Sequence, residues 1–518
     1  MRRARALIAR KAGTRTKFLD FIVDWVNDPE SERALVLFGQ AGTGKSSIAH
    51  EVARRFNDMR RLSSSFVFRR GDGPKPRHFF TTLARDLSDR YPSFKAALGE
   101  VIKANTSLRQ GAQDYREVFG SLLRDPLKGL HIVGPIFVVV DALDESGDAT
   151  GRSGLHHFLA DHISELPSNF RILITSRPES DIVNAFNGIP EVRVLYTNDT
   201  ELAAQTDNDI RTYLEKNLPS HIFEKHGSGL VTKAEGLFQW VAVACGYILN
   251  PPPGFTKLKC IRDLLMTPSN HKRLNLLDQL YMEVLKAYFT SPAVRHQFRS
   301  IIGPLLVVFK PLSISLLTAL RRFAPIDDPD DDPDDEESVS SIVSHLGSLL
   351  SNVTSSELPI IPLHASFRDF LTDRNRSGDF YIDLIDAHYQ LTTSCLDLML
   401  DKSGLRFNIC NLATSYLANN DMPGLQSQID TYISPALSYA CCFWANHLKH
   451  ILFDGEVIDK MKLFFEEKFL FWLEVLSLIG SISLVSPALS FVKVWLASDH
   501  HKVCNAPNGE FISNRHYD

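Results

Sequence analysis

Apolar residues come first in short unbroken runs and later in helical stripes. Residues 34–38 (ALVLF), 136–140 (IFVVV), 171–175 (RILIT) and 192–196 are such runs, the pattern of strands buried on both faces. Phe66–Phe68 is a further strand candidate, leading into a Gly/Pro turn at Gly71–Pro76. Between the runs, apolar residues recur at helical spacing. Ile48, Ala49, Val52, Ala53 and Phe56 share one face, as do Tyr115, Val118, Phe119, Leu122 and Leu123 ahead of Pro126. Strands alternating with helices over residues 34–196 predict a parallel α/β sheet.

Beyond residue 200 the strand pattern fades. Residues 208–290 read as helices, with Ile210, Tyr213 and Leu214 on one face, and Leu277, Leu280, Tyr281, Val284 and Leu285 on another. Pro251–Pro253 interrupts them, as a proline run must. In Asp327–Glu337, nine acids and two prolines fill eleven positions, a run that cannot bury a core and reads as a solvated loop. Ile342–Leu371 predicts a helix, a short strand pair and another helix; residues 380–497 are helical again. The most apolar stretch, Phe469–Leu489, holds Glu474, Gly480 and Pro487. It falls short of a membrane span and reads as one or two buried helices.

Composition narrows the field. The chain has 518 residues, 44% hydrophobic and 23% charged, which excludes disordered, collagen-like and small disulfide-stapled classes. At about 150 residues per domain it holds several domains. Fifty-six basic residues against 61 acidic ones give a net charge of −5, so charge makes no case for nucleic acid as a partner. The seven cysteines are scattered, with no CxxC pair, and read as reduced thiols of a cytoplasmic protein. Arg2, Arg3, Arg5, Arg10, Lys11 and Arg15 lack the apolar core of a secretory signal. They read as a basic linker, with a mitochondrial presequence as the alternative. No 33–45-residue repeat and no WD dipeptide of a propeller blade occurs.

Three segments carry chemistry. Gly39-Gln40-Ala41-Gly42-Thr43-Gly44-Lys45-Ser46 fits G-x-x-x-x-G-K-[ST] in full, between a strand and a helix. Glycines let backbone N–H groups turn inward around a β-phosphate. Lys45 brings positive charge to the β/γ-phosphates, and the Ser46 hydroxyl is a Mg²⁺ ligand. Ser47 continues the run into the helix N-terminus, whose partial positive charge adds to the site. The second segment is the acidic end of the run 136–140, with Asp141, Asp144 and Glu145. Carboxylates there face the crevice where parallel sheets bind ligands. Asp141 is the candidate Mg²⁺ holder, and either Asp144 or Glu145 the group that orients or deprotonates water. In the third segment, Thr175, Ser176 or Arg177 is placed to sense a γ-phosphate.

Together these segments resemble the NACHT domain of the STAND signalling P-loop NTPases, with the fungal NLR-like, nephrocystin-type families as the nearest pattern. The specific signals are D-A-L-D-E at 141–145, T-S-R-P at 175–178, Gly13-Thr14-Arg15, Gly236-Leu237-Phe238-Gln239-Trp240 and His364-Ala365-Ser366-Phe367-Arg368-Asp369-Phe370-Leu371. The resemblance implies a basic N-terminal linker and helix over 1–32, a nucleotide domain over 33–200, a helical arm over 201–290, a winged-helix-like domain over 291–378 and a helical extension over 379–518. It implies ATP or ADP with Mg²⁺ as cofactors, and His364 as the group that contacts the β-phosphate of ADP; the alternative is a core or capping histidine. Family members usually add an effector domain and a repeat sensor, and neither pattern is visible, so the chain reads as a short paralogue, a truncated product or a partner for a longer protein.

The expected function is therefore an ATP-binding switch. ADP holds it closed, ATP favours an open, self-associating form, and hydrolysis is slow. Effector and ligand proteins are unspecified; neither nucleic acid nor membrane is expected as a partner. A nucleotide-binding scaffold without turnover is the alternative. A small-molecule kinase fits less well, because Pro178-Glu179-Ser180-Asp181 stands where an Arg-rich lid is needed. A GTPase lacks its N-K-x-D guanine reader.

Overall fold

A computed structural model of the chain describes residues 16–68, 75–104, 115–147, 154–266, 273–324, 336–414 and 416–503. The Gly13–Arg15 signal, the basic start, most of the Gly71–Pro76 turn and residues 327–335 of the acidic run lie outside them.

Five parallel strands form one sheet in the order β2-β3-β4-β1-β5: β1 Ala34–Phe38, β2 Leu62–Val67, β3 Ile136–Asp141, β4 Phe170–Ser176 and β5 Val192–Tyr196. Strands β1, β3 and β4 are buried at every position, as their unbroken apolar runs require. Side chains alternate across the sheet. Ala34, Val36, Phe38, Val138 and Ile174 enter one core; Leu35, Leu37, Phe137, Val139 and Leu173 enter the other. That second core is closed by α1 (Thr16–Asn27), through Phe18, Ile22 and Trp25, and by α2 (Lys45–Asp58), through Ile48, Ala49, Val52 and Phe56. The predicted α2 face is therefore the one that meets the sheet. Burying four such side chains contributes several kcal/mol in all, at about 1.5–3 kcal/mol for each of the larger ones.

Strand β2 starts four residues before the Phe66–Phe68 candidate. Its first half holds Ser63 and Ser64, both buried, and their hydroxyls bond Tyr91 Oη at 2.9 Å and Asp86 Oδ2 at 2.7 Å. Neighbouring side chains thus satisfy the hydroxyls that hide this strand from a hydrophobicity pattern.

Helices follow β5. They include Thr200–Asn217, Ser220–Ala234, α3 (Phe238–Leu249), Lys257–Met266 and α4 (Arg273–Tyr288), with the break at Pro251–Pro253 as expected. The chain divides into two compact units, residues 1–284 with 363–366, and residues 285–362 with 367–518. In the second unit, helix Glu336–His345 precedes the antiparallel pair Leu350–Ser351 and Ile361–Pro362, the predicted helix and strand pair. Glu336 and Glu337 of the acidic run belong to that helix rather than to a loop, because acids in a first turn complement the helix dipole. Trp444, Phe464 and Trp472 centre the core of this unit.

The stretch Phe469–Leu489 forms two α-helices separated at Gly480. They are not wholly buried as expected: Leu470 in the first and Leu489 in the second are 72% and 38% exposed. Among the described residues no helix is long and apolar enough to cross a membrane. The six described cysteines form no disulfide.

Candidate nucleotide site

The site lies at the C-terminal ends of β1, β4 and β3, which are adjacent in that order. The loop after β1 turns through Gly42 and Gly44, whose φ values of 85° and 87° lie in the left-handed region. Residues 39–43 are followed directly by α2 from Lys45, with Gly44 as its N-cap and no side-chain cap. The first-turn amides of that helix are left for a ligand. Ser46 and Ser47 are half-buried there. Ala41 and Thr43 are buried, and the Thr43 hydroxyl donates to the Gln40 carbonyl at 2.9 Å.

Lys45 Nζ donates to the carbonyls of Gly39 at 2.6 Å and Gln40 at 3.0 Å. Desolvation pushes its ammonium down to about 8, because burial penalises the charged form. Asp144, Asp141 and Glu145 pull the other way, and Arg177 adds to the lowering. All four groups are near enough to the lysine to act on its charge.

Strand β4 ties the neighbouring ends together. Thr175, fully buried, donates through Oγ1 to Asp141 Oδ1 at 2.6 Å and accepts from the Ala142 N–H at 3.1 Å. Ala142 itself sits at φ 59°, a conformation that costs a non-glycine residue about 1–2 kcal/mol and gathers at functional sites. The Ser176 carbonyl accepts from the Gly39 N–H at 3.2 Å. Arg177 grips Asp144 twice: its N–H donates to Oδ1 at 3.0 Å, and its Nε lies 3.2 Å from Oδ2. Asp144 is 4% exposed, whereas Glu145 is half-buried on the same short 3₁₀ turn. The two candidate bases thereby differ: Asp144 is buried and ion-paired with Arg177, and Glu145 is half-buried.

His364 belongs to a second set. Its Nδ1 accepts from the Ser366 N–H at 3.1 Å and meets the Ser366 hydroxyl at 2.6 Å, and that hydroxyl lies 2.7 Å from Tyr281 Oη. The backbone donor makes Nδ1 an acceptor, which leaves the ring proton of the neutral form on Nε2. Residues 363–366 are grouped with the first unit. Sequence reasoning missed Tyr281 as a partner of this set, since it stood in a helical stripe. It also missed the approach of Gln239 and Leu277 to the loop at Gly42.

The donor set fits a magnesium nucleotide. An anion-ready helix start, a desolvated cation, and a buried carboxylate beside a hydroxyl stand at one crevice.

Residues 13–177, less than half the chain, match the family described as Nephrocystin 3, N-terminal. No curated protein matches the chain. Among solved structures, the STAND protein with a tetratricopeptide repeat sensor from Pyrococcus horikoshii is similar at 14% identity and a TM-score of 0.38, over 95% of this chain and 65% of that one. The Aeropyrum pernix ORC1 protein, in complex with DNA, is similar at 13% identity and a TM-score of 0.27, over 70% of this chain and 90% of that one. The Aeropyrum pernix ORC2 protein follows at 14% and 0.30, over 65% and 85%. This chain thus spans about 65% of the length of the first of these.

Proposed function

We propose that the chain is an ATP-binding switch of the nephrocystin-type NACHT class of STAND P-loop NTPases, a reading supported by the match of residues 13–177 to the family described as Nephrocystin 3, N-terminal. Its carrying observation is the set around Lys45: Asp141 clasped by Thr175 and Asp144 paired with Arg177, at the ends of adjacent strands. The loop Gly39–Ser47, through its inward-facing amides, and the Lys45 ammonium hold the phosphates; Ser46 and Asp141 hold Mg²⁺. Glu145 orients the attacking water, Asp144 positions Arg177, and Arg177 reads the terminal phosphate. Bound ATP–Mg²⁺ supplies the terminal phosphate whose presence or loss distinguishes the two states.

His364, fixed as an Nε2 donor, is assigned to the diphosphate of the resting state. In domain terms, 33–200 binds nucleotide, 201–290 is the arm, 291–378 the winged-helix-like part and 379–518 the extension. A shift from 1:99 to 99:1 between closed and open forms needs about 5.5 kcal/mol of differential binding. Charge-assisted bonds to one extra phosphate are of the size to supply it. The test is the nucleotide content and hydrodynamic size of the purified protein, first with ADP and then with a non-hydrolysable ATP analogue. Larger particles with the analogue support the switch; an empty protein that takes up neither nucleotide refutes it.

A further inference from the structure

The phosphate-loop motif fixes glycine at its first and sixth positions and leaves the fourth open. This chain has glycine there too, Gly42, at φ 85°. A Cβ on Gly42 would lie 3.0 Å from Gln239 Cβ and 3.2 Å from Leu277 Cδ1. The loop is therefore in close contact with the first turn of α3 and with α4. One hydrogen bond joins them: the Gln239 N–H donates to the Gly42 carbonyl at 3.1 Å.

Both partners have a reason to meet. Gln239 is the second residue of α3, and its N–H is one of the four that no helical carbonyl can satisfy. Leu237, the N-cap, offers no side-chain cap. A carbonyl in a loop built to hold an anion must in turn point away from that anion. The peptide plane carries the consequence. In a trans peptide the Gly42 C=O and the Thr43 N–H point in opposite directions, so a grip on the carbonyl aims the Thr43 N–H. That N–H lies 3.4 Å from the Gln40 carbonyl within the loop, at the edge of useful hydrogen-bond geometry.

We propose that the Gln239 amide is a positioning group for the phosphate loop, holding the Gly42–Thr43 peptide so that the Thr43 N–H faces bound phosphate. The helices after β5 thereby control nucleotide release through one backbone bond. The inference rests on the reading of residues 39–47 as the nucleotide site. By reciprocity, bound nucleotide tightens the Gln239–Gly42 bond as much as that bond tightens nucleotide.

The test uses the full chain and a fluorescent ADP. Q239P removes the N–H where proline is tolerated, in the first helical turn; Q239A keeps the N–H and removes the side chain. The expected result is ADP release about tenfold faster in Q239P and within about threefold of wild type in Q239A, both melting as wild type. Release from Q239P at the wild-type rate overturns the inference and leaves the nucleotide site standing. If Q239P does not fold, hydrogen exchange at the Gln239 amide of the wild-type chain decides. Exchange about tenfold slower with ADP than without supports the proposal, and equal rates overturn it. A wild-type chain that binds no ADP overturns both this inference and the reading beneath it.

Discussion

A cluster of buried ionisable groups at the strand ends of the first unit and one in the second unit are built on opposite plans. At the strand ends, Lys45, Asp141, Asp144 and Arg177 bring charges of both signs together, with the lysine resting on carbonyls. In the second unit, His388, His447 and Tyr439 form a closed chain: His388 Nδ1 to His447 Nδ1 at 2.9 Å and His447 Nε2 to Tyr439 Oη at 2.9 Å. Phe309 packs on the His447 ring at 4.9 Å. Burial holds His447 well below the usual histidine range, reinforced by His388 and His450. It takes His388 to about 3, reinforced by His450 and Arg368. Neutral groups that satisfy one another are finished structure, whereas a desolvated cation held only by carbonyls is strongest when an anion arrives. Among the described residues no cluster of histidine, cysteine and carboxylate could hold a metal ion, so the histidine chain reads as core.

The largest break between the two regions is Lys45→Ala. We expect nucleotide affinity to fall by at least about a hundredfold, the scale of a lost charge-assisted contact to phosphate, with the melting profile of the second unit unmoved. Calorimetric titration with ADP and ATP checks it. His447→Phe should do the reverse, lowering thermal stability while ADP affinity stays at the wild-type value. Next comes Glu145→Gln, which should keep ATP binding and slow phosphate release by about a hundredfold. Unchanged single-turnover hydrolysis would move the water-orienting role elsewhere.

Acidity separates the regions by sign. Only the Lys45 ammonium pairs with phosphate, and its folded value is about 8. Nucleotide affinity should therefore be level below pH 8 and fall above it by up to about tenfold per pH unit. The histidine chain behaves oppositely. Its folded values are depressed, so its contribution to stability is complete above the unfolded histidine value of about 6.5 and is lost as pH falls from there toward 3. Affinity and unfolding measured from pH 4 to 10 should thus fail at opposite ends.

How much of this could be read from the sequence follows from what each contact is made of. Strands β1, β3 and β4 were legible because burial on both faces gives each an apolar run at its centre, and the loop and D-A-L-D-E because their chemistry is carried by side-chain type. β2 was half hidden, since Ser63 and Ser64 look solvated until Tyr91 and Asp86 are seen bonding them. Arg171 is the second residue of a core strand yet is 2% exposed, its two Nη groups donating to the carbonyls of Asp28, Pro29, Ser168 and Phe170. The Gln239–Gly42 bond was illegible in principle: every non-proline residue has the same N–H, so no residue type announces which one is used.

The smallest expected effect tests the finest part of the comparison, whether the crevice too depends on an internal clasp. Thr175→Val keeps shape and β-branching but deletes the hydroxyl that donates to Asp141 and accepts from Ala142. Leaving those buried groups unpaired costs about 1–3 kcal/mol, which should appear as a melting temperature lower by a few degrees. Without its clasp the Asp141 carboxylate is free to rotate, so the Mg²⁺ concentration needed for ATP binding should rise severalfold while Mg²⁺-free ADP affinity hardly changes. Thr175→Ser retains the hydroxyl and should restore the Mg²⁺ requirement. If valine lowers stability yet leaves the Mg²⁺ requirement alone, the clasp belongs with the histidine chain as structure, and Asp141 is aimed by its strand alone.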